Sequence, residues 1–400
     1  YIYYTSGSSG SPKGIASGHE PMLNRLGWMW RQWPFKANEV CCQRIDHVFI
    51  DFVSEMFGPL CRGLSIVVVP VAVRRSPVLL ADFIRTFGIS RITLVPTLAQ
   101  LLIATASTPA TTPIPARHRC SPGSVGTVDR ANGVVTLWVL SGEALPWSIA
   151  RGLSQLSSPE AVVLNLYGST EVAADITFHS CTFGQDGAAS SIPGVLGTAG
   201  SVPIGRPISG CGTELIELSD DEDAVGRVGA LYVFGAGLAT GYWGQPVATK
   251  TCFPVYTWNG ETLRFFRTGD LASYERCRGG SVDDGADLVL VYRGRLDQQV
   301  KVHGQRLDLG EVEASLMQTD GVVSAAAVAL SSVDADDRHD ICYAGRRTGC
   351  LIGALVSPNG VNDTDVLTIC RRNLPSFAVP QVIVTTAAVP TLSGSGKVDR

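Results

Sequence analysis

The sequence has no long apolar run and no cluster of basic residues. Its main hydrophobic run, residues 64–73, is about half as long as a helix that crosses a bilayer, so no membrane span is expected. That length is typical of a buried strand instead. The net charge is −4 and basic residues are dispersed, which gives no electrostatic support to a nucleic-acid partner.

Metal and disulfide patterns are missing as well. The eleven cysteines are scattered, Cys41 and Cys42 are adjacent, and no CxxC pair exists, which predicts a reducing compartment without a disulfide framework or a zinc site. The six histidines stand alone, so we assign none of them chemistry. No secretory signal is visible, and we expect a cytoplasmic protein. The chain opens on Tyr1-Ile2-Tyr3-Tyr4, a strand pattern without an initiating Met, so we expect a fragment whose beginning is missing.

Strand-like and helix-like segments alternate over the first half of the chain. The predicted strands are 65–71, 91–95, 134–140 and 161–166; the predicted helices are 77–87, 97–106 and 146–156; the predicted loops are 107–132 and 180–201. This alternation of strands and helices predicts a mostly parallel sheet covered by helices, which is an α/β core.

The second half changes character twice. Strand patterns with few helices between them occupy 212–218, 229–234 and 288–292. After Leu296 a small α+β unit of about one hundred residues follows, within the usual size of a domain. Its predicted helices are 309–317 and 363–373, and its predicted strands are 322–330, 351–356 and 381–385. We therefore predict two domains, 1–296 and 297–400, with the boundary near Asp297.

A Ser/Gly-rich loop follows the opening strand. Its sequence is Tyr4-Thr5-Ser6-Gly7-Ser8-Ser9-Gly10-Ser11-Pro12-Lys13-Gly14. Small residues let backbone N–H groups approach a polyphosphate, and Lys13 adds a positive charge. It is not a Walker loop, which needs Gly before the Lys and Ser or Thr after it. A plain Ser/Gly linker is the alternative.

Further motifs follow in a fixed order. They are Ser141-Gly142-Glu143-Ala144-Leu145, Asn165-Leu166-Tyr167-Gly168-Ser169-Thr170-Glu171, Gly235-Ala236-Gly237-Leu238-Ala239-Thr240-Gly241-Tyr242, Arg267-Thr268-Gly269-Asp270, Tyr292-Arg293-Gly294-Arg295-Leu296-Asp297 and Gly394-Ser395-Gly396-Lys397-Val398-Asp399-Arg400. Together with the loop they resemble the adenylate-forming superfamily, which contains acyl-CoA synthetases, luciferases and the adenylation domains of non-ribosomal peptide synthetases. The resemblance implies an AMP-binding core over 1–296, starting at the phosphate loop, and a mobile C-terminal lid over 297–400.

The resemblance assigns the nucleotide site. Asn165 and Tyr167 lie where a strand ends, the usual ligand side of an α/β sheet, and the family uses both for adenine. A core position is the alternative for Tyr167. Asp270 is the family's ribose ligand, although a turn Asp is the ordinary alternative. The other nucleotide-binding residues that it implies are Thr5, Ser6, Gly7, Ser8, Ser9, Gly10, Lys13, Gly142, Glu143, Gly168, Ser169 and Arg295.

The catalytic residues are implied in the same way. Thr170 can donate to the α-phosphate, and Glu171 is an oxygen ligand suited to the Mg²⁺ that accompanies ATP; a helix start is the alternative for both. Lys397 lies in a Gly-rich loop and is the family's catalytic lysine, although Ser395 replaces the usual Asn. Asp297 is the implied hinge. In the family, the Gly235–Tyr242 segment serves the later thioester step.

The pocket for the acid that is activated, called the acid pocket below, is the part of the site that the sequence determines least. The segment 49–57 resembles the one that offers an Asp to the substrate ammonium in amino-acid-activating members, so Asp51 is either that counter-ion or a helix-capping residue. The matches at Gln299-Val300-Lys301 and at the C-terminus favour the amino-acid-activating branch, nearest to the β-alanine-activating, aminoadipate-semialdehyde-dehydrogenase-like group.

The implied function is ATP-dependent adenylation of a small carboxylic or amino acid, then transfer to a pantetheine thiol of CoA or of a carrier protein. Three alternatives stay open: an acyl-CoA synthetase for an acid without an amine, a phosphotransferase that would release ADP, and a non-catalytic fragment. The acid and the thiol acceptor are not determined by the sequence.

Overall fold

A computed structural model describes residues 1–5, 12–106, 135–183, 201–217, 227–258, 260–276, 288–296, 299–302, 305–330, 350–357 and 360–386. The chain divides into two compact units. Residues 1–4 and 14–296 form the first, and residues 5–13 and 297–400 form the second. None of the helices in the described ranges has the length and apolar character to cross a membrane.

A seven-stranded sheet forms the centre of the first unit. Its strands are β3 (Cys41–Gln43), β4 (Ile66–Val68), β5 (Arg91–Leu94), β6 (Leu137–Leu140), β7 (Val162–Tyr167), β8 (Thr177–Thr182) and β9 (Arg206–Pro207). The spatial order is β4-β3-β5-β6-β7-β8-β9. The pairings from β4 to β7 are parallel, and those of β8 are antiparallel. The predicted mostly parallel sheet is therefore confirmed.

Helices cover both faces of this sheet. They are α1 (His19–Gln32), α2 (Asp51–Leu60), α3 (Val71–Arg74), α4 (Pro77–Phe87), α5 (Pro96–Ala106) and α6 (Trp147–Gln155). Successive side chains of a strand point to opposite faces. Trp138 accordingly joins a cluster with Phe83 of α4 and Leu153 of α6, whereas Val139 joins one with Trp28 of α1.

Two smaller antiparallel sheets consist mainly of residues of the first unit. One consists of β10 (Cys211–Glu217), β11 (Gly229–Gly235), β13 (Val255–Trp258), β14 (Glu261–Arg276) and β15 (Leu288–Arg295). The other consists of β1 (Ile2–Thr5), β2 (Lys13–Ala16) and β12 (Gly241–Tyr242), and α7 (Pro246–Cys252) follows β12. Strand β14 pairs with both β11 and β15, which places Asp270 beside Arg295.

The second unit has its own core. Its elements are β16 (Gln299–Val302), β17 (Gln305–Asp308), α8 (Leu309–Leu316), β18 (Ser324–Leu330), β19 (Cys350–Val356), α9 (Asp363–Asn373) and β20 (Val382–Thr386). Asp308 caps α8 through the N–H of Gly310, and Asn362 caps α9. Both helices pack their apolar faces against the β18-β19-β20 sheet, with Leu316 and Val366 fully buried.

Two expectations about elements were wrong, and a third falls outside the described residues. The apolar run at 64–73 is not one buried strand, because β4 is a three-residue edge strand with Val68 60% exposed, and Pro70 ends it before α3. Residues 180–182 belong to β8 rather than to a loop, since they pair with β7. The predicted loop 107–132 lies outside the described residues, as does most of 184–201.

Candidate functional site

The candidate site lies at the carboxyl edge of the parallel strands. Strand β6 ends at Leu140 and is followed by Ser141 and Gly142; the neighbouring β7 ends at Tyr167. Gly142 has φ +92°, a backbone conformation that favours glycine. Ligands of open α/β sheets bind at this edge. The structure thus brings the second and third predicted motifs together.

Tyr167, Asp270 and Arg295 form a hydrogen-bonded cluster. The Tyr167 hydroxyl donates to Asp270 Oδ2 at 2.5 Å, and Arg295 Nη1 donates to Asp270 Oδ1. Burial, and then the neighbouring Asp270 charge, raise the pKa of the Tyr167 phenol well above its usual value, so it stays a donor. The backbone N–H of Asp270 donates to Thr268 Oγ1 at 3.0 Å. The carboxylate is therefore held in one orientation.

Asn165 and Glu143 serve structural contacts. Asn165 is 2% exposed, and its Nδ2 donates to the carbonyl of Pro203 at 2.8 Å. Its Oδ1 is buried and has no hydrogen-bond partner among the described residues. The Glu143 carboxylate accepts from the N–H and the hydroxyl of Thr97, at 2.9 and 2.6 Å, in the first turn of α5. Asn165 is thus enclosed by the protein, whereas Glu143 is half-buried.

A tight turn follows Tyr167. Thr170–Val172 form one turn of 3₁₀ helix, and Ala173 and Ala174 follow with φ of +55° and +79°. Such a conformation costs non-glycine residues roughly 1–2 kcal/mol each. The chain folds back so closely that a Cβ on Gly168 would lie 2.2 Å from the carbonyl oxygen of Ala174. Glycine is therefore required here on steric grounds.

Glu171 is fixed within that turn. It is 1% exposed, and its Oε1 accepts from the Tyr242 hydroxyl at 3.1 Å. No group of three or more His, Cys, Asp or Glu able to hold a metal lies in the part of the chain that the structure describes. One carboxylate is enough for a Mg²⁺ that is bound mainly through substrate phosphates, so the donor set fits that ion.

Asp51 lies in the first turn of α2 and is partly buried. Burial, and then the Asp175 charge, raise the pKa of its carboxyl to about 7, while Arg25 acts in the opposite direction. No side chain in the described ranges forms a hydrogen bond or ion pair with this carboxylate. Within the described ranges, the Asp51 carboxylate therefore has no directly bonded counter-charge, and a ligand cation could provide one.

Sequence reasoning missed the pair next to it. Arg25 on α1 donates to Asp175 Oδ2 from Nη2 at 2.7 Å and from Nε at 3.1 Å. The Ser141 hydroxyl donates to Asp175 Oδ1 at 2.8 Å. In the sequence, this pair is indicated only by the presence of an acidic residue, Asp175, in the apolar segment 172–178. Its partner Arg25 lies 150 positions away along the chain.

The remaining predicted residues are placed only in part. Thr5 ends β1, and Lys13 begins β2. The others lie outside the described residues: Ser6, Gly7, Ser8, Ser9, Gly10, Asp297 and Lys397.

Comparisons with known proteins agree with this geometry. The chain is 33% identical over 405 residues to enterobactin synthase component F of Shigella flexneri. This match covers 100% of the chain and 28% of that protein. It is 31% identical over 406 residues to the β-alanyl-bioamine nonribosomal peptide synthetase ebony of Drosophila melanogaster, covering 100% of this chain and 40% of ebony. The chain thus spans less than half the length of these curated relatives.

A solved structure shows the same fold. The Vibrio cholerae adenylation domain AlmE, in complex with glycyl-adenosine-5'-phosphate, matches with a TM-score of 0.72 at 24% identity, over 98% of this chain and 64% of that one. Residues 1–243, more than half of the chain, match the family model described as AMP-binding enzyme. The chain belongs to the AMP-binding enzyme family of adenylate-forming ligases.

Proposed function

We propose that this protein activates a small amino acid with ATP, forming an aminoacyl-adenylate and pyrophosphate, and then passes the acyl group to a pantetheine thiol. In the first step a carboxylate oxygen of the acid bonds to the α-phosphorus, and the bond from that phosphorus to the bridging oxygen breaks. In the second step the thiol sulfur bonds to the acyl carbon, AMP leaves with the former carboxylate oxygen, and the thiol proton passes to solvent.

The orientation of Asp270 is the observation that carries the proposal. A carboxylate has about four lone-pair positions, and Tyr167 and Arg295 occupy two of them from opposite oxygens. The two that remain match the paired hydroxyls of a ribose. The cluster stands at the edge of the sheet where nucleotides bind in α/β folds. A phosphate-loop sequence and the family match support the rest of the proposed nucleotide assignment.

The negative charge of the ATP phosphates needs binding residues other than the Asp270 cluster. We assign the β- and γ-phosphates to Lys13 with Thr5, Ser6 and the backbone of 7–10, and the α-phosphate to Thr170. Glu171 would hold Mg²⁺. When bound, this ion would neutralise part of the phosphate charge. Lys397 would stabilise the charge that develops on the reacting oxygens. Asn165, Gly142, Gly168 and Ser169 would line the base and sugar.

The amino-acid specificity rests on Asp51. A buried ammonium is costly without a counter-charge, and the Asp51 carboxylate offers one. AlmE, which has the same fold, holds glycyl-adenosine-5'-phosphate in its crystal structure, and ebony carries β-alanyl in its name. These likenesses support an amine-bearing acid for this chain. They leave the carrier protein and CoA as alternative acceptors, although ebony's description as a nonribosomal peptide synthetase favours a carrier protein.

We further propose that 1–296 acts as the core and 297–400 as a lid that turns at Asp297. Lys397 must reach the reacting oxygens during adenylation, and a pantetheine thiol must later reach the acyl carbon in the same cleft, and two lid orientations provide for that.

Pyrophosphate exchange into ATP tests the adenylation step. We expect exchange that depends on an amino acid in a screen of amino acids and their deaminated analogues. Exchange that depends only on deaminated acids would make the protein an acyl-CoA synthetase of another class. Release of ADP would identify a phosphotransferase, and no exchange with any acid would identify a non-catalytic chain.

A further inference from the structure

Asp175 has both carboxylate oxygens occupied by the protein itself. Arg25 binds Oδ2 through two N–H groups, and Ser141 binds Oδ1. The side chain of Asp175 is 0% exposed and that of Arg25 is 4% exposed. A charge at this depth needs a partner, and Arg25 is the partner that Asp175 has. Asp175 therefore has little capacity left to bind a ligand cation.

The start of α2 packs against the elements that carry this pair. Ile50, next to Asp51, lies in one apolar cluster with Met22 and Leu26 of α1 and with Ala173 and Ala174, which precede Asp175. Asp175 and Arg25 consequently act in opposite directions on Asp51, since Asp175 raises and Arg25 lowers the pKa of the Asp51 carboxyl. Two carboxylates and one guanidinium thus lie close together in the first unit, and their charges sum to −1 above about pH 7, where Asp51 is ionised.

We propose that Arg25 is a specificity-determining residue: by neutralising Asp175, it leaves the acid pocket with a single negative charge, which selects acids that carry one ammonium group. The proposal rests on the proposed function, in which Asp51 faces the amine of the substrate. An acid without an amine leaves the Asp51 charge unbalanced. A diamino acid brings a second ammonium for which no carboxylate remains.

The charge of the neighbouring Glu55 also raises the pKa of the Asp51 carboxyl. Glu55 Oε2 accepts from the backbone N–H groups of Arg44 and Ile45 at 2.7 and 2.6 Å. Burial raises the pKa of its carboxyl, while the Arg44 charge and these backbone hydrogen bonds act in the opposite direction. Its Oε1 is buried and has no hydrogen-bond partner among the described residues. Because all the variants below retain Glu55, its contribution is the same in each of them.

Three variants change the pocket charge stepwise. Arg25→Gln gives −2, Asp175→Asn gives 0, and the double variant returns to −1. Asp175→Asn keeps the shape and an oxygen acceptor for Arg25. Removing one partner of a buried ion pair destabilises a protein more than removing both, so the double variant should fold even if Arg25→Gln does not. Arg31→Gln removes a charge from the exposed end of α1 and is the matched control.

The probes are four acids of equal chain length: butyrate, α-aminobutyrate, γ-aminobutyrate and α,γ-diaminobutyrate. Pyrophosphate exchange is measured with the full chain, and kcat/KM ratios are compared within each variant, so that a reduced folded fraction cancels. The wild type and Arg31→Gln should prefer a monoamine. In a partly buried site, one unit charge close to the substrate ammonium changes such a kcat/KM ratio by about tenfold or more.

Arg25→Gln should therefore raise the diamine-to-monoamine ratio by about tenfold or more. Asp175→Asn should lower the monoamine-to-butyrate ratio by a similar factor. Removal of Arg25 in the D175N background should restore that ratio, a contrast that does not depend on the Arg25→Gln single variant. Unchanged ratios across the series, with a wild type that prefers a monoamine, overturn the charge assignment alone. A wild type that prefers butyrate, or that uses none of the four acids, overturns the proposed amino-acid function and this inference with it.

Discussion

Replacing Asp270 with Ala tests the nucleotide site most sharply. The change removes the two lone-pair positions assigned to the ribose hydroxyls. Hydrogen bonds to a charged group contribute about 1.5–3 kcal/mol each, so two of them amount to about 3 kcal/mol at the low end. That corresponds to a rise of about a hundredfold in the KM for ATP. The KM for the acid should change far less, because Asp51 is untouched.

The same substitution should also destabilise the fold. Arg295 would keep its charge in a site where its side chain is 12% exposed, and the Tyr167 hydroxyl would lose its acceptor. Breaking a buried ion pair costs about 3–5 kcal/mol, and the residual exposure places the expected loss at the lower end of that range. Urea unfolding measures this loss. The KM is independent of the folded fraction, so the two effects are separable.

Tyr167→Phe is the matched control for Asp270→Ala. It keeps the aromatic ring and removes only one donor to Asp270, so it should cost about 1 kcal/mol of stability and leave the KM for ATP within about threefold of the wild type. Initial rates of pyrophosphate exchange against ATP concentration give both constants. An unchanged KM in folded Asp270→Ala, or equal losses in the two variants, would refute the ribose assignment.

Three further predictions concern other parts of the protein. Only ionised Asp51 attracts an ammonium, and its pKa is raised to about 7, so kcat/KM for amino acids should rise with pH through about 7, and Asp51→Asn should abolish that rise. Lys397→Ala should slow adenylate formation by ~10²–10³-fold in single-turnover assays but leave transfer from pre-formed aminoacyl-adenylate nearly intact. Gly168→Ala should destabilise the first unit by about 3 kcal/mol or more in urea, because its Cβ would overlap Ala174, whereas Gly18→Ala, with open space around it, should not.

Local signals predicted the helices well where caps and breakers surround them. Helix α4 begins after Ser76, whose side chain accepts from the N–H of Leu79, has Pro77 in its first turn, and ends at Gly88 with φ +64°. Each of these residues acts within one or two turns of the chain. The bounds 77–87 were therefore predictable from sequence alone.

Features that depend on distant parts of the chain were not predictable. An apolar run looks the same in a central strand and in an edge strand, so the exposure of Val68 depends on where β4 lies in the sheet. The Arg25–Asp175 pair joins positions 150 residues apart, and no periodic pattern encodes it. The family motifs identified Asp270 and Tyr167, but not that they bond to each other.

Oxygen-18 transfer tests the central claim, formation of an acyl-adenylate, most directly. The carboxylate of the best acid from the exchange screen is labelled in both oxygens and incubated with ATP, the full chain and a pantetheine thiol, and the products are analysed by mass spectrometry. We predict one labelled oxygen in AMP for each thioester formed, because the carboxylate oxygen that bonds to the α-phosphorus leaves with it. Label in inorganic phosphate with release of ADP, or unlabelled AMP alongside thioester, would contradict the account.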